Sequence, residues 1–274
     1  MTQNNILVIG GTGKTGRKVV ERLTRRGINV RIGSRNASPS FDWEKPEDWK
    51  TALQGMDKVY ITFQPDLAVP GAKEAITELT EQSKACGIKK LVILSGRGEH
   101  EAELCEQIIQ QSGIDWSVVR ADWFNQNFSE SFFLDPILAG QVAVPRAETK
   151  IPFTDTDDIA DVVVEALLDD QYTGEVLELT GPELWSMEEV IKEIAKVTNR
   201  EIGFHSISLE DYTKMMRDHQ VPDAYIWLIN YLFTNVLDGR NSSTTNTIEE
   251  VLGRPAKRFS DYVKETAATG VWNG

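Results

Sequence analysis

A glycine-rich segment near the start of the chain has residue types and a spacing that could do chemistry. It reads GGTGKTGR from position 10, directly after the apolar run ILVI at 6–9, and fits G-x-G-x-x-G from Gly11 or G-x-x-G-x-x-G from Gly10. Such glycines permit a tight turn, close approach of backbone amides to a pyrophosphate, and close packing of a helix on a strand. The following helix would offer N–H groups and its positive dipole end to phosphates. The segment predicts a dinucleotide-binding turn with cofactor-binding residues Gly10, Thr12, Gly13, Lys14, Thr15 and Gly16.

A second phosphate-binding pattern overlaps this turn. Gly13, Lys14 and Thr15 match the end of the triphosphate-binding loop G-x-x-x-x-G-K-[ST]. That loop needs its first glycine at position 8, where this chain has Val8 inside the apolar run. Without that glycine the loop is too short to wrap a triphosphate, so the sequence favours the dinucleotide.

The identity of the dinucleotide depends on the end of the second strand-like run, at 29–33. Domains that bind NAD place a carboxylate about 20 residues after the turn, where it holds the ribose hydroxyls. This chain has Ser34-Arg35-Asn36 there and no carboxylate. An arginine can pair with a 2′-phosphate through charge-assisted hydrogen bonds. We expect Ser34 and Arg35 to select NADPH over NADH, and the alternative is that Arg35 is only a solvated surface residue.

The elements that must position these residues alternate along the chain. Strand-like runs occur at 6–9, 29–33, 59–61, 91–94, 116–119 and 176–179, and helical patterns at 14–26, 69–87, 102–112, 159–168, 187–197 and 209–237. This alternation predicts an α/β fold, a Rossmann-type doubly wound parallel sheet with right-handed crossovers. We expect an NAD(P)-binding domain over 1–150, its sheet completed by part of 151–182, and a smaller, mostly helical substrate lobe over 183–274, intertwined with it.

The composition of the 274-residue chain limits the other classes of function. Its formal charge of −13 repels nucleic acid and anionic membranes, so we expect no direct nucleic-acid or membrane binding. No apolar run approaches the roughly 18 residues that cross a bilayer. The start MTQNN lacks the basic n-region of a secretory signal, so we expect a cytoplasmic protein, as a monomer or a homodimer.

Cysteines, histidines and acidic residues give no pattern typical of a metal site. Cys86 and Cys105 lie in stretches with a helical pattern, and we expect both to be free thiols. The histidines are spread apart, without a cysteine or acidic cluster at ligand spacing, so no metal is expected. The acidic run DTDD at 155–158 is typical of the N-cap and first turn of a helix, and less so of calcium coordination.

Several stretches, in order, carry a likeness to one family. They are GGTGKTGRKV at 10–19, SR at 34–35, SGIDWSVVR at 112–120, PFTDTDDIA at 152–160, LTGP at 179–182 and LGRP at 252–255. With these motifs the chain resembles NmrA-like proteins, which are atypical members of the short-chain dehydrogenase/reductase superfamily. The resemblance covers nearly the whole chain. It implies NAD(P)H binding, and members of the family include NADPH-dependent quinone, azo-dye and triphenylmethane-dye reductases and sensors that bind the cofactor without known turnover.

The resemblance also implies further site residues, by position. Those against the adenine are Asp42 and Trp43. Those that border the nicotinamide ribose are Thr62, Phe63, Gln64 and Pro65, of which Gln64 and Pro65 also face the substrate. Ser95 matches the active-site serine, next to the cofactor. The lip of the substrate cleft is implied to consist of Trp123, Phe124 and Asn127.

One departure from the superfamily affects the expected mechanism. The superfamily uses a Tyr-x-x-x-Lys pair to supply a proton to the nascent alkoxide, but no tyrosine or lysine occurs between Ser95 and Gly113. Ser95, His100 or water could then deliver the proton, since a histidine has a suitable intrinsic pKa. His100 lies among Glu99, Glu101 and Glu103, however, and a solvated helix residue is the alternative.

Two functions follow. The first is an NADPH-dependent reductase that transfers hydride to a small planar electrophile, a quinone or an azo or related dye, because the cofactor does the chemistry and the protein orients it. The second is a non-catalytic redox sensor loaded with NADP(H). The aromatic and amide residues at 123–133 favour the first, since they suit a pocket for a flat ligand, although they could also be ordinary core. The missing Tyr-Lys pair weakens it.

Overall fold

The computed structural model describes residues 4–273, which form two compact units. Unit 1 comprises the residues up to Gly96, His100–Ala121 and Thr156–Leu179. Unit 2 comprises Arg97–Glu99, Asp122–Asp155 and the chain from Thr180. This grouping differs from the expected boundary at residue 150. The segment after Ala121 leaves the sheet of unit 1, because its aromatic side chains Phe128 and Phe133 are buried in the core of unit 2.

Unit 1 contains a six-stranded parallel sheet within the described residues. Its strands are β1 (Asn5–Ile9), β2 (Asn29–Gly33), β3 (Lys58–Ile61), β4 (Lys90–Gly96), β5 (Asp115–Ala121) and β7 (Glu175–Leu179). Their order is β2-β1-β3-β4-β5-β7, and every neighbouring pair is parallel. The α/β, Rossmann-type fold predicted from the sequence is confirmed. The chain reverses direction across the sheet between β1 and β3, and ligands of such folds bind at that switch point, beyond the carboxyl ends of the strands.

The helices of unit 1 cover both faces of this sheet. They are α1 (Gly16–Arg25), α2 (Pro46–Leu53), α3 (Ala72–Ala85), α4 (His100–Gln110) and α6 (Thr156–Leu168). Because helices cover both faces, successive residues of the central strands, such as Leu7 and Val8 in β1 or Val59 and Tyr60 in β3, are fully buried, which explains why these strands read as continuous apolar runs. Helix α2 carried no recognised sequence signal. It begins with Pro46 and contributes the buried Trp49 to the core.

Unit 2 is mostly helical around an aromatic core. Its elements are α5 (Leu134–Leu138), β6 (Gln141–Val144), α7 (Met187–Thr198), β8 (Gly203–Ser206), α8 (Leu209–Asp218), α9 (Asp223–Tyr231), α10 (Thr247–Leu252) and α11 (Phe259–Ala268). Strands β6 and β8 form a two-stranded parallel sheet. The stretch 209–237, predicted to be helical, contains α8 and α9, which are separated where Gln220 takes a positive φ of 58° and Pro222 cannot continue a helix. A π-helical turn at Leu232–Val236 follows α9.

The acidic run at 155–158 divides between the two units. Asp157 and Asp158 lie in the first turn of α6 in unit 1, as the sequence predicts. Asp155 is fully buried in unit 2, where it accepts hydrogen bonds from the side-chain amides of Asn125 and Gln126, both at 3.1 Å. These two hydrogen bonds hold the segment after β5 in place, and both amide side chains are buried.

Three general features bear on function. Over residues 4–273, no helix is long and apolar enough to cross a membrane. The same residues contain no group of three or more His, Cys, Asp or Glu side chains that could hold a metal ion. Cys86 and Cys105 are both free thiols, and burial raises the pKa of Cys105 to about 12, so that thiol is not reactive near neutral pH.

Candidate functional site

The glycine-rich turn lies between the end of β1 and the start of α1, at the switch point of the sheet. Gly10 has a φ of +70°, and a Cβ there would lie 2.1 Å from Oγ1 of Thr62, the residue that follows β3. A Cβ on Gly16 would lie 2.1 Å from the carbonyl oxygen of Gly10. The amide of Gly13 donates to that same oxygen at 2.8 Å. Strand, turn and helix are therefore too close together for any side chain at Gly10 or Gly16.

The turn presents backbone donors that the protein does not use. The amides of Gly10 and Gly11 both donate to the carbonyl oxygen of Gly33. Those of Thr12, Thr15 and Gly16 donate to no acceptor within the described part of the chain. Helix α1 also has no acidic residue in its first turn, so the positive end of its dipole is not compensated there. These donors and this field fit the diphosphate of a dinucleotide.

Tyr60 contacts the turn from the neighbouring strand β3, and no sequence pattern indicated this role. Its phenol, on β3, donates a hydrogen bond to Oγ1 of Thr15 at 3.1 Å, and both side chains are buried. Burial raises the pKa of Tyr60, so the phenol stays neutral and remains a donor. The hydroxyl of Thr15 accepts this bond and keeps its own hydrogen, so Thr15 can donate to a phosphate through its hydroxyl as well as its backbone amide.

The end of β2 lies beside the turn, because β2 is the neighbour of β1. The carbonyl oxygen of Ser34 accepts from the amides of Ala37 and Phe41, which folds the following loop back on itself. Arg35 is exposed and forms no hydrogen bond or ion pair with any residue in the range 4–273. The structure thus leaves the Arg35 guanidinium available to an anion at this edge of the sheet.

Residues expected at opposite ends of the cofactor lie in one aromatic cluster. The rings of Trp43 and Phe63 are 4.6 Å apart, and the Trp43 indole donates to the carbonyl oxygen of Thr62 at 3.2 Å. The cluster also includes Phe41 and Trp49. Asp42 accepts the Trp49 indole hydrogen bond on its backbone oxygen. Gln64 and Pro65, further along the same loop, are exposed.

Ser95 is buried near the carboxyl end of β4 and belongs to a polar group. Its Oγ donates to Oε1 of Glu106 on α4 at 2.6 Å. Arg120, which is paired with Ser95 in the sheet register, donates to both oxygens of the same carboxylate, at 3.0 Å and 2.5 Å. The hydrogen bond to Glu106 is the main reason that the pKa of Arg120 is raised. Glu106 and Arg120 were not predicted as site residues, because their proximity to Ser95 depends on the sheet register and on the packing of α4.

His100 lies in a different environment from Ser95. It is the first residue of α4 and is exposed, and its side chain forms no hydrogen bond with any described residue. Its assignment to proton transfer stays a prediction.

The residues expected at the substrate cleft belong to unit 2. Trp123 is buried, and its ring lies 5.6 Å from Phe233 and 6.5 Å from Phe133. Phe124 and Asn127 are half-buried. The segment is therefore largely core, and only Phe124 and Asn127 retain substantial exposed surface among the three.

Comparison with known proteins agrees with this geometry. The sheet order and the glycine turn define a Rossmann-type, NAD(P)H-binding protein, and a family model described as NAD(P)H-binding matches residues 10–103. The model of the NmrA-like family matches residues 101–264, and the chain belongs to this family. The resemblance found in the sequence is confirmed.

Similar proteins cover nearly the full length of the chain. Prestalk A differentiation protein A of Dictyostelium discoideum is 30% identical, over 97% of this chain and 93% of that protein. NAD(P)H azoreductase of Xenophilus azovorans is 27% identical, over 96% and 98%. The fold is similar to an NADPH-dependent quinone oxidoreductase of Escherichia coli in complex with NADPH, with a TM-score of 0.81, 19% identity and coverage of 95% and 99%. It is also similar to NmrA, a negative transcriptional regulator in complex with NAD, with a TM-score of 0.71, 14% identity and full coverage of both chains.

Replacing Gly16 with alanine tests the turn. The new Cβ would meet the Gly10 carbonyl at 2.1 Å, so the turn must shift and its amides move away from the diphosphate. We expect the affinity for NADPH to fall by about tenfold or more, because each charge-assisted hydrogen bond is worth about 1.5–3 kcal/mol. Titration of the protein with NADPH, followed by nicotinamide fluorescence, measures this change.

Gly27→Ala is the matched control. Gly27 has a φ of +72°, but a Cβ there meets nothing within 4 Å, so this variant carries backbone strain without touching the turn. It should keep the NADPH affinity of the unchanged protein. An equal loss of affinity in both variants would contradict a specific role for the turn.

Proposed function

We propose that this protein is a reductase that binds NADPH on unit 1 and transfers hydride to a small planar electrophile, such as a quinone or an azo or related dye. The observation that carries the choice of NADPH is the end of β2. There the exposed Arg35 has no partner among residues 4–273, at the place where NAD-binding domains carry a carboxylate. A guanidinium there suits the 2′-phosphate, which NADH lacks.

Each part of the cofactor has residues that fit it. The amides of Thr12, Thr15 and Gly16 would hold the diphosphate, with the positive end of the α1 dipole behind them. Arg35 would pair with the 2′-phosphate, and Trp43 would lie against the adenine. NADPH, when bound, supplies the hydride, while the protein orients the reacting groups and excludes water.

The choice of a quinone or dye as the electrophile is supported by the absence of the Tyr-Lys pair and by the activities of similar proteins. No tyrosine or lysine lies between Ser95 and Gly113, so the usual acid of ketone reduction is missing from that segment. Quinones and dyes make less demand on a positioned acid. An azoreductase and a quinone oxidoreductase are among the similar proteins. Gln64 and Pro65, both exposed, are our proposed substrate contacts in unit 1.

A second function is favoured by the same missing acid. A protein that binds NADP(H) without turnover would need the glycine turn and Arg35, and it would not need a Tyr-Lys pair. The regulator NmrA shares this fold. We therefore retain a cofactor-loaded redox sensor as the alternative.

Replacing Arg35 with alanine tests the cofactor assignment. The variant should bind NADPH more weakly by roughly 1.5–3 kcal/mol, the value of a hydrogen bond to a charged group, and should bind NADH as before. Fluorescence titration with each coenzyme gives both affinities. Arg25→Ala is the control, because Arg25 is an exposed cation on α1 that pairs with Glu21. Equal losses for NADPH and NADH in Arg35→Ala would show that Arg35 does not read the phosphate.

Turnover separates the reductase from the sensor. We expect NADPH absorbance to fall faster with protein than in buffer when quinones, azo dyes and triphenylmethane dyes are supplied as acceptors. The reason is that a bound nicotinamide needs only an acceptor in contact with it and no protein acid. Tight NADPH binding without oxidation of NADPH across this panel would instead establish the sensor.

A further inference from the structure

Unit 1 contains a buried group of polar side chains whose presence is not accounted for by the cofactor contacts proposed above or by the missing Tyr-Lys pair. It consists of Ser95 on β4, Glu106 on α4 and Arg120 on β5. The Glu106 side chain is 2% exposed and that of Arg120 is 19% exposed. Burying a charged pair is costly unless its hydrogen bonds are well formed, and here three donors reach one carboxylate, at 2.6, 3.0 and 2.5 Å.

The geometry fixes the direction of the Ser95 hydroxyl. A serine hydroxyl has one hydrogen and two acceptor lone pairs. Arg120 stays charged and donates both of its hydrogen bonds to the Glu106 carboxylate, which acts only as an acceptor. The hydrogen of the Ser95 hydroxyl therefore points to Glu106. No other described residue bonds to the Ser95 Oγ. Ser95 therefore presents lone pairs and no proton, so it would accept a hydrogen bond from a ligand.

The sheet order indicates which part of a dinucleotide Ser95 would meet. Arg35 follows β2, the glycine turn follows β1 and Ser95 is near the end of β4, and the order of these strands is β2-β1-β3-β4. Three strand spacings of about 4.8 Å separate β2 from β4. With the 2′-phosphate at β2 and the diphosphate at β1, the nicotinamide half continues past β3 toward β4.

We propose that Glu106 and Arg120 are positioning residues that hold Ser95 as a hydrogen-bond acceptor for a donor on the nicotinamide half of the bound cofactor. The donor is a carboxamide N–H or a ribose hydroxyl. This inference rests on the proposed function, because it requires that NADPH binds. It also gives Ser95 a role other than proton delivery.

The test compares two probes, NADPH and 2′-phospho-ADP-ribose, which keeps the adenosine and the diphosphate but has no nicotinamide. Ser95→Ala should bind NADPH about fivefold to tenfold more weakly, the effect of one lost hydrogen bond, with unchanged affinity for the fragment. Ser95→Thr keeps the hydroxyl and should keep the NADPH affinity. An NADPH analogue with acetylpyridine in place of nicotinamide has no carboxamide N–H. If Ser95→Ala no longer changes the affinity for that analogue, the donor is the carboxamide, and if the change persists, the donor is the ribose.

The positioning role is tested by removing the buried pair as a unit. Glu106→Met with Arg120→Met leaves no unpaired buried charge, and such replacements are often neutral for stability. This double variant should lose NADPH affinity selectively, as Ser95→Ala does. Combined with Ser95→Ala, it should cause no further loss, because the pair acts through that hydroxyl. A purely structural role would weaken both probes and would add to the effect of Ser95→Ala.

Glu103→Gln is the matched control. Glu103 lies on the same helix, 4.0 Å from Arg120, and its side chain is 41% exposed. It should leave both affinities unchanged. If the unchanged protein binds neither probe, the proposed function fails. If the unchanged protein binds both probes, and Ser95→Ala binds each of them as tightly as the unchanged protein does, only the acceptor role of Ser95 is overturned. The Ser95 variants leave the buried pair intact, so the inference stays testable if the methionine variant does not fold.

Discussion

Close backbone contact at the turn between β1 and α1 is the constraint on which the rest of unit 1 depends. The carbonyl of Gly10 occupies the space that a side chain on Gly16 would need, and Thr62 occupies the space beside Gly10. This contact brings α1 directly onto the strand end, so the first amides of the helix face the switch point of the sheet. Gly10 and Gly16 therefore serve both packing and ligand binding, and a substitution that disturbs the packing would also move the amides that face a ligand.

The charges at the helix termini differ between the two ends of the parallel strands. At the amino ends of β3 and β4, the buried Lys58 and Lys90 donate to the carbonyl oxygens of Leu167 and Asp169, just where α6 finishes. These cations satisfy the negative end of a helix dipole, although burial, reinforced by the neighbouring Lys58, lowers the pKa of Lys90. At the carboxyl ends, α1 begins without any acidic side chain in its first turn. At the amino ends of the strands, the helix dipole is therefore neutralised by the protein's own lysines. At the carboxyl ends, the positive end of the α1 dipole is left for an anionic ligand to neutralise.

The sequence was informative where one local rule decided the structure. All the strands expected in unit 1 lie within observed strands. For the central strands β1, β3 and β4, burial on both faces leaves an apolar run that is hard to mistake. Helix α2 was missed because its eight residues are too few to show a clear helical period, with only Trp49, Ala52 and Leu53 buried. The stretch 209–237 was predicted to be helical without the break at Pro222 that separates α8 from α9. Glu106 could not be foreseen as a partner of Ser95, because their contact depends on tertiary packing of α4.

The direction of the Ser95 hydroxyl bears on which acceptors suit this protein. Reduction of a ketone makes a strongly basic alkoxide, which needs an acid close by, and Ser95 gives its only hydrogen to Glu106. A cationic dye becomes neutral when it accepts hydride, so it needs no proton at all. A quinone becomes a delocalised phenolate that water can protonate. Loss of the Tyr-Lys pair is therefore compatible with hydride transfer, provided that the acceptor stabilises its own product. A serine fixed as a hydrogen-bond acceptor is consistent with hydride transfer of this kind, since it can orient the cofactor while taking no part in proton transfer.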